Sequence, residues 1–338
     1  MSRLLPAGDY VEGVRARDRA LIGRALTLVE STVPEHRALA GEVLGRLLPF
    51  SGHARRVGIT GSPGVGKSTL IDALGVLLLE KGHRLAVLAV DPTSQRSKGS
   101  ILGDKTRMEN LSADSRCFIR PSPSGGMLGG VASRTREAMI VLEAAGYDVI
   151  FVETVGVGQS EVMVRAMVDA FVLLVLPGSG DELQGVKRGI MELSDLVVVT
   201  KADGASQFAA EATRLEHERG LHFLPPSTAG WTTPALCCSA LEQSGLEELW
   251  QAVERLLGHA EDSGALQSRR RGQQREWMRD LLEEKVLELL RADPLVGEAW
   301  PGLQKEVEEG RLLPASAAEQ LAALFVRGTA ETSRSEIF

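Results

Sequence analysis

The stretch GITGSPGVGKST, residues 58–69, limits this chain more than any other. It holds Gly61-Ser62-Pro63-Gly64-Val65-Gly66-Lys67-Ser68-Thr69, the full phosphate-loop pattern. An apolar run precedes it and a helical pattern follows, so the loop joins a buried strand to a helix. Glycines let backbone N–H groups turn inward around phosphate oxygens, and the helix N-terminus adds its partial positive charge. Lys67 suits the β- and γ-phosphates, and the Ser68 hydroxyl suits Mg2+.

Such a loop needs a parallel sheet around it, and the sequence supplies one. Apolar runs at residues 56–60, 84–91, 117–120, 148–154, 170–176, 195–201 and 235–240 lack alternation, which predicts strands buried on both faces. Helical patterns such as KSTLIDALGVLLLEKG and GVASRTREAMIVLEAAG lie between them. The expected fold is α/β, a P-loop domain with a mostly parallel sheet over residues 56–260. Residues 1–55 read as an N-terminal helical extension, with STVPEH giving a cap and an early-turn proline. Residues 261–338 read as a C-terminal helical arm. Trp277, Leu281, Leu282, Val286 and Leu289 fall mostly on one face of it. An arm this thin cannot bury that face alone, so a second copy of the chain is expected to cover it.

Composition narrows the partners. The 338 residues carry a net charge of −7, and the only basic cluster is SRRRGQQR, residues 268–275, which reads as a solvated linker. No nucleic-acid footprint follows. No apolar run is long and unbroken enough to cross a membrane, and the N-terminus lacks a signal-peptide core; a cytoplasmic protein is expected. Cys117, Cys237 and Cys238 have no metal-type spacing and read as structural thiols.

Further acids surround the phosphate loop in sequence. Asp91 ends the second apolar run, and Asp104 sits in GSILGDKTRM, a loop with the character of a mobile switch. Either can ligate Mg2+ directly or through water. VIFVETVGVGQSE ends a strand at Glu153 and continues through Gly156, whose N–H can approach a γ-phosphate. Glu153 suits a contact with a Mg2+ water or the attacking water, and Gln159 is a candidate for orienting that water.

LVVVTKADG identifies the base. Lys201 and Asp203 project from the C-terminal end of a buried strand, where open α/β sheets bind ligands. An aspartate there accepts from the ring N–H and the exocyclic amine of guanine; adenine would present an acceptor instead. Thr200 stands where an Asn is usual, a loss of roughly 1 kcal/mol net that weakens the site without switching the base. Ser239-Ala240 suits a turn that brings a backbone N–H near the guanine oxygen. GTP, GDP and Mg2+ are thus the expected ligands, and slow GTP hydrolysis the expected activity.

Taken with AVLAVDPTSQRSKGSILGDKTRM, FIRPSPSGGMLGGVASRTREAM and PGSGDELQGVKRGIMELSD, these motifs resemble the MeaB family. That family takes in the methylmalonic aciduria type A proteins and chains once labelled ArgK or lysine/arginine/ornithine transport ATPases. The resemblance covers the α/β block and the layout of both helical flanks. It implies a homodimeric GTPase that acts as a chaperone of methylmalonyl-CoA mutase or a related cobalamin-dependent acyl-CoA mutase, gating adenosylcobalamin loading and protecting the mutase from inactivation. It also implies that residues 177–189 form a third switch, with Lys187, Gln184 and Asp181 coupling nucleotide to mutase. Thr200 is the departure from the family pattern. Two rival readings, an ATP-using kinase or transport ATPase and a nickel-type metallochaperone GTPase, meet Asp203 and the lack of Cys/His clusters respectively.

Overall fold

The computed structural model describes residues 4–90, 108–121, 128–154, 160–178 and 188–335. The chain divides into two compact units, Met1–Gln273 and Gln274–Phe338. In the first, helices α1 (Ala7–Arg15), α2 (Arg19–Val29) and α3 (Pro34–Leu47) precede the sheet. Strands β1 (Arg55–Gly61), β2 (Leu85–Val90), β3 (Cys117–Arg120), β4 (Val149–Thr154), β5 (Ala170–Val175), β6 (Leu196–Val199) and β7 (Ala235–Cys237) follow. They lie in the order β3-β2-β4-β1-β5-β6-β7, with every pairing parallel. β2, β4, β5 and β6 are buried at every residue, as uninterrupted apolar runs require. All seven expected strands are present.

The intervening helices are α4 (Lys67–Glu80), α5 (Glu109–Ala113), α6 (Leu128–Ala144), α7 (Ser160–Arg165), α8 (Arg188–Leu193), α9 (Gln207–Leu221) and α10 (Leu246–Asp262). One face of the sheet packs on α4, α5 and α10, around Ile71, Leu78, Leu111 and Trp250. On the other face α6 and α7 share a core with α1, α2 and α3, so Tyr10, Leu26 and Val43 join Val131, Ile150 and Val164. The expected cap of α3 differs. Pro34 takes the first helical turn, but no side chain caps it; the Ser31 hydroxyl instead contacts His36 Nδ1 at 2.8 Å and accepts from Val33 N at 3.3 Å.

A second correction concerns residues 268–275, which are not a solvated linker. They lie in helix α11 (Ala265–Ala292), and Arg269 and Arg270 bind at the N-terminal ends of the strands. Arg270 forks onto Asp169, Nε to Oδ1 at 2.8 Å and Nη2 to Oδ2 at 2.6 Å. Asp169 and Asp195, the residues just before β5 and β6, are buried. Arg269 donates to the Asp169 carbonyl and to Thr228, and Gln273 donates to the Val168 carbonyl at 2.8 Å. Buried carboxylates need such partners: the basic run supplies the cation for Asp169, and Arg165 at 3.2 Å and Arg269 at 3.7 Å both face Asp195.

The second unit continues α11 and adds α12 (Pro294–Glu308) and α13 (Pro314–Ser335). Asp293 caps α12, accepting from Val296 N at 3.1 Å, and α12 packs on α13. Met278, Leu282, Val286 and Leu289 of α11 are exposed in the single chain.

Candidate active site

β1 meets β4 on one side and β5 on the other, and its C-terminal end opens into the phosphate loop. Gly61, at φ +152°, passes so close to β5 that a Cβ there would lie 2.6 Å from the Leu174 carbonyl oxygen. Gly66, at φ +97°, sits at the start of α4 in a left-handed conformation with no side-chain cap. The helix therefore keeps its first N–H groups for a ligand.

Lys67 curls back over its own loop, donating to the Gly61 carbonyl at 2.7 Å and the Ser62 carbonyl at 3.3 Å. Burial pulls its pKa below the ordinary lysine value, while the carboxylates of Glu153 and Glu161 work in the opposite direction. Ser68 donates to Glu153 Oε1 at 3.0 Å, so the first turn of α4 and the end of β4 share one polar contact. Register explains it: Glu153 pairs with Ile59, two residues before the loop opens. A hydroxyl and a carboxylate converging beside a phosphate loop are hard oxygen donors, and this set fits Mg2+. Among the described residues no group of three or more His, Cys, Asp or Glu is clustered for a metal.

The segment expected to read the base reaches the same loop. Thr200 is buried, and its hydroxyl donates to the Val65 carbonyl at 2.7 Å, with the Val175 carbonyl at 3.3 Å. It ties β6 to the phosphate loop. Lys201, at φ +55°, donates from Nζ to the Gly64 carbonyl at 2.8 Å. Asp203 accepts from the Ser239 hydroxyl at 2.5 Å, which joins the ends of β6 and β7. Ser239 in turn accepts from Glu242 N at 3.1 Å and bridges to Ser244, fixing the turn that carries Ala240.

The structure thus brings Gly61 to Thr69, Glu153, Thr200, Lys201, Asp203, Ser239 and Ala240 to one end of the sheet. Asp91, Asp104, Gly156, Gln159, Lys187, Gln184 and Asp181 lie outside the described residues. Two residues were missed by the motif reading. Glu161 is buried near Lys67; its signal was an acid next to Val162 in a turn whose apolar side is reversed. Asp72, one turn along α4 from Ser68, accepts from Asn110 Nδ2 at 2.7 Å and Leu111 N at 3.0 Å. That clamps α5, which follows the segment carrying Asp104, and no local pattern announces it. Among the thiols, burial pushes Cys117 and Cys238 up to about 12, which suits inert core residues.

A parallel sheet whose central strand ends in a phosphate loop, with an aspartate after β6 held by a serine after β7, is the architecture of P-loop guanine-nucleotide-binding proteins. Comparison with known proteins sharpens this. The model of the family described as "Methylmalonyl Co-A mutase-associated GTPase MeaB" matches residues 22–294, and the chain belongs to that family. A probable GTPase of Mycobacterium tuberculosis is 52% identical over 93% of this chain and 94% of its own. The mouse mitochondrial methylmalonic aciduria type A homolog is 44% identical over 93% of this chain and 78% of its own. A crystal structure titled as a LAO/AO transport system kinase is 37% identical, with a TM-score of 0.75, covering 97% of this chain and 99% of that one. The protein is a GTPase of the MeaB/ArgK type and binds guanine nucleotides. Among the described residues no helix is long and apolar enough to cross a membrane.

Proposed function

We propose that this GTPase is a nucleotide-switched chaperone of methylmalonyl-CoA mutase, or of a related cobalamin-dependent acyl-CoA mutase. In this role it gates adenosylcobalamin loading and protects the mutase from inactivation. The family's association with that mutase supports the reading, as does the methylmalonic aciduria type A relative. The observation that carries the chemistry is the convergence of Ser68 with Glu153 at the mouth of the loop that Lys67 now covers.

In this reading Lys67 leaves the Gly61 and Ser62 carbonyls for the β- and γ-phosphates when GTP arrives. Ser68 and Glu153 would hold Mg2+, Glu153 directly or through a metal-bound water, with Asp91 or Asp104 as a further ligand; when bound, Mg2+ would offset charge on the phosphate oxygens. Asp203 accepts from guanine, Ala240 offers its N–H, and Thr200 holds the loop in register. Gly156 senses the γ-phosphate, Gln159 orients water, and Lys187 belongs to the loop that meets the mutase. A partner can be gated only if the GTP and GDP forms contact it differently, and these loops are the elements that change. The working form is a homodimer built through the arm after the GTPase domain.

The test is hydrolysis of GTP and of ATP, with and without mutase. GTP turnover is expected to be slow alone and to rise with mutase by about tenfold or more, in the range a positioned catalytic group contributes. ATP is expected to be hydrolysed poorly in both cases. Lys67→Ala is expected to abolish turnover while leaving the fold intact. Absence of any stimulation by mutase removes the chaperone reading; wild-type turnover in Lys67→Ala removes the phosphate-site reading.

A further inference from the structure

Two threonines stand side by side where apolar runs end. Thr60 of β1 and Thr154 of β4 are 1% and 0% exposed. A buried hydroxyl costs free energy unless it is partnered, and valine would fill either place without that cost. These two hydroxyls partner each other, Thr154 donating to Thr60 at 2.9 Å.

Their place in the sheet gives the contact its meaning. The paired register of β1 with β4 runs from Arg55↔Val149 to Ile59↔Glu153 and stops there. Beyond it each strand is paired on its outer side: Thr60 with Leu173 and Gly61 with Leu174 of β5, and Thr154 with Val90 of β2. The gap left between β1 and β4 lies at the mouth of the phosphate loop. Side chains alternate between faces along a strand. Ile59 and Phe151 share the core of α4, whereas Ile150 and Val152 share that of α6 and α7. Glu153 thus lies on the α4 face, and Thr60 and Thr154 lie on the other. Two polar contacts span the gap, the threonine pair on one face and Ser68 with Glu153, at 3.0 Å, on the opposite one.

We infer that Thr60 and Thr154 are positioning residues for the metal site: their contact sets the spacing of β4 from β1, so that Glu153 stays opposite Ser68. The inference rests on Ser68 and Glu153 being groups that hold Mg2+. Ser68 and Glu153 give up their direct contact when their oxygens turn to a cation. The threonine pair, on the far face, is not drawn on for that purpose and keeps the span. Without it the end of β4 is free to drift from the loop, and Glu153 must be brought back each time the metal is bound. Mg2+ is then held more weakly, while the phosphate loop and the ends of β6 and β7 are left as they were.

The test reads Mg2+ apart from turnover. A fluorescent GDP analogue is titrated in EDTA and then across a Mg2+ series, which gives the metal-free affinity and the Mg2+ concentration of half effect. Thr154→Val removes the donor at similar shape. Its half-effect concentration is expected to rise about fivefold, the size of one lost hydrogen bond, with affinity in EDTA within about twofold of wild type. Thr60→Val removes the acceptor and is expected to do the same. The double variant is expected to do no more than either single one, because the two residues make one contact. Thr154→Ser keeps the hydroxyl and is expected to return the wild-type value. A half-effect concentration within about twofold of wild type in either valine variant that folds overturns the inference. So does an equal rise in Thr154→Ser, which would place the effect in methyl packing, or equal weakening with and without Mg2+, which would be structural alone. Failure of both valine variants to fold overturns it as well, since the pair would then hold the sheet rather than the aim of one carboxylate. Glu153→Gln, run alongside, distinguishes the failures. An unchanged Mg2+ series in that variant overturns the metal reading of Glu153; a shifted one, with a wild-type series in Thr154→Val, overturns only the role of the threonines.

Discussion

Thr200 shows how much a single hydroxyl can decide. Its side chain points from β6 into the phosphate loop and donates to the Val65 carbonyl. A threonine in this place ties the end of β6 to the phosphate loop even without an amide. Thr200→Val removes the donor at nearly constant shape and leaves a buried carbonyl short of a partner. Loss of about 1 kcal/mol follows, seen as roughly fivefold weaker binding of GDP and GTP alike. Thr200→Ser is expected to recover most of it. Titration with a fluorescent GDP analogue checks both, and equal affinity in Thr200→Val would mean that the tether contributes nothing. The sequence displays the Lys-x-Asp ending openly, because it occupies one short run at the end of an apolar strand. It does not display the tether, since Thr200 and Val65 are 135 residues apart and only the sheet order brings them together.

At the scale of elements, the strands were legible because each is an unbroken apolar run between breakers, and the phosphate loop because its glycines are placed by φ. The root of α11 was not legible. Four basic residues within eight read as solvent-facing until one knows that Asp169 and Asp195 stand buried beneath them. Those acids come about 75 to 100 residues earlier, and no periodicity relates them to the arginines. The Arg270–Asp169 fork is the clearest part of this junction, with the Asp169 side chain 1% exposed. Arg270→Ala leaves that carboxylate with the Arg56 N–H at 2.9 Å and Arg269 nearby, but without its charge partner. Removing one member of a buried pair costs about 3 kcal/mol or more, so the urea midpoint is expected to fall clearly. Nucleotide affinity, read in native buffer, is expected to change little, because the junction lies at the opposite edge of the sheet from Lys67. A midpoint equal to wild type would show that the fork is solvated.

For the whole molecule, the apolar side of α11 is the outstanding surface. Met278, Leu282, Val286 and Leu289 are exposed on one helix in the single chain, and that much apolar area favours association. The full chain is expected to run as a dimer in light scattering, and a fragment ending at Gln273 as a monomer that still binds GDP. A monomeric full chain would refute the homodimer proposal. The apolar face of this arm was visible in sequence, since a solvent-facing helix rarely needs so many leucines; what would cover it belongs to no pattern within one chain.

The arginine root of α11 bears on how the protein is made. Ribosomes release the chain from the N-terminus, and domains tend to close as their segments emerge. β7, the last strand, is complete at Cys237, yet the acids at the feet of β5 and β6 meet Arg269 and Arg270 only some thirty residues later. A nascent chain that has just finished its sheet has Arg165 to set against Asp195, at 3.2 Å, but Asp169 still awaits Arg270. The last ion pair at the foot of β5 therefore forms only after the root of α11 has followed the sheet off the ribosome.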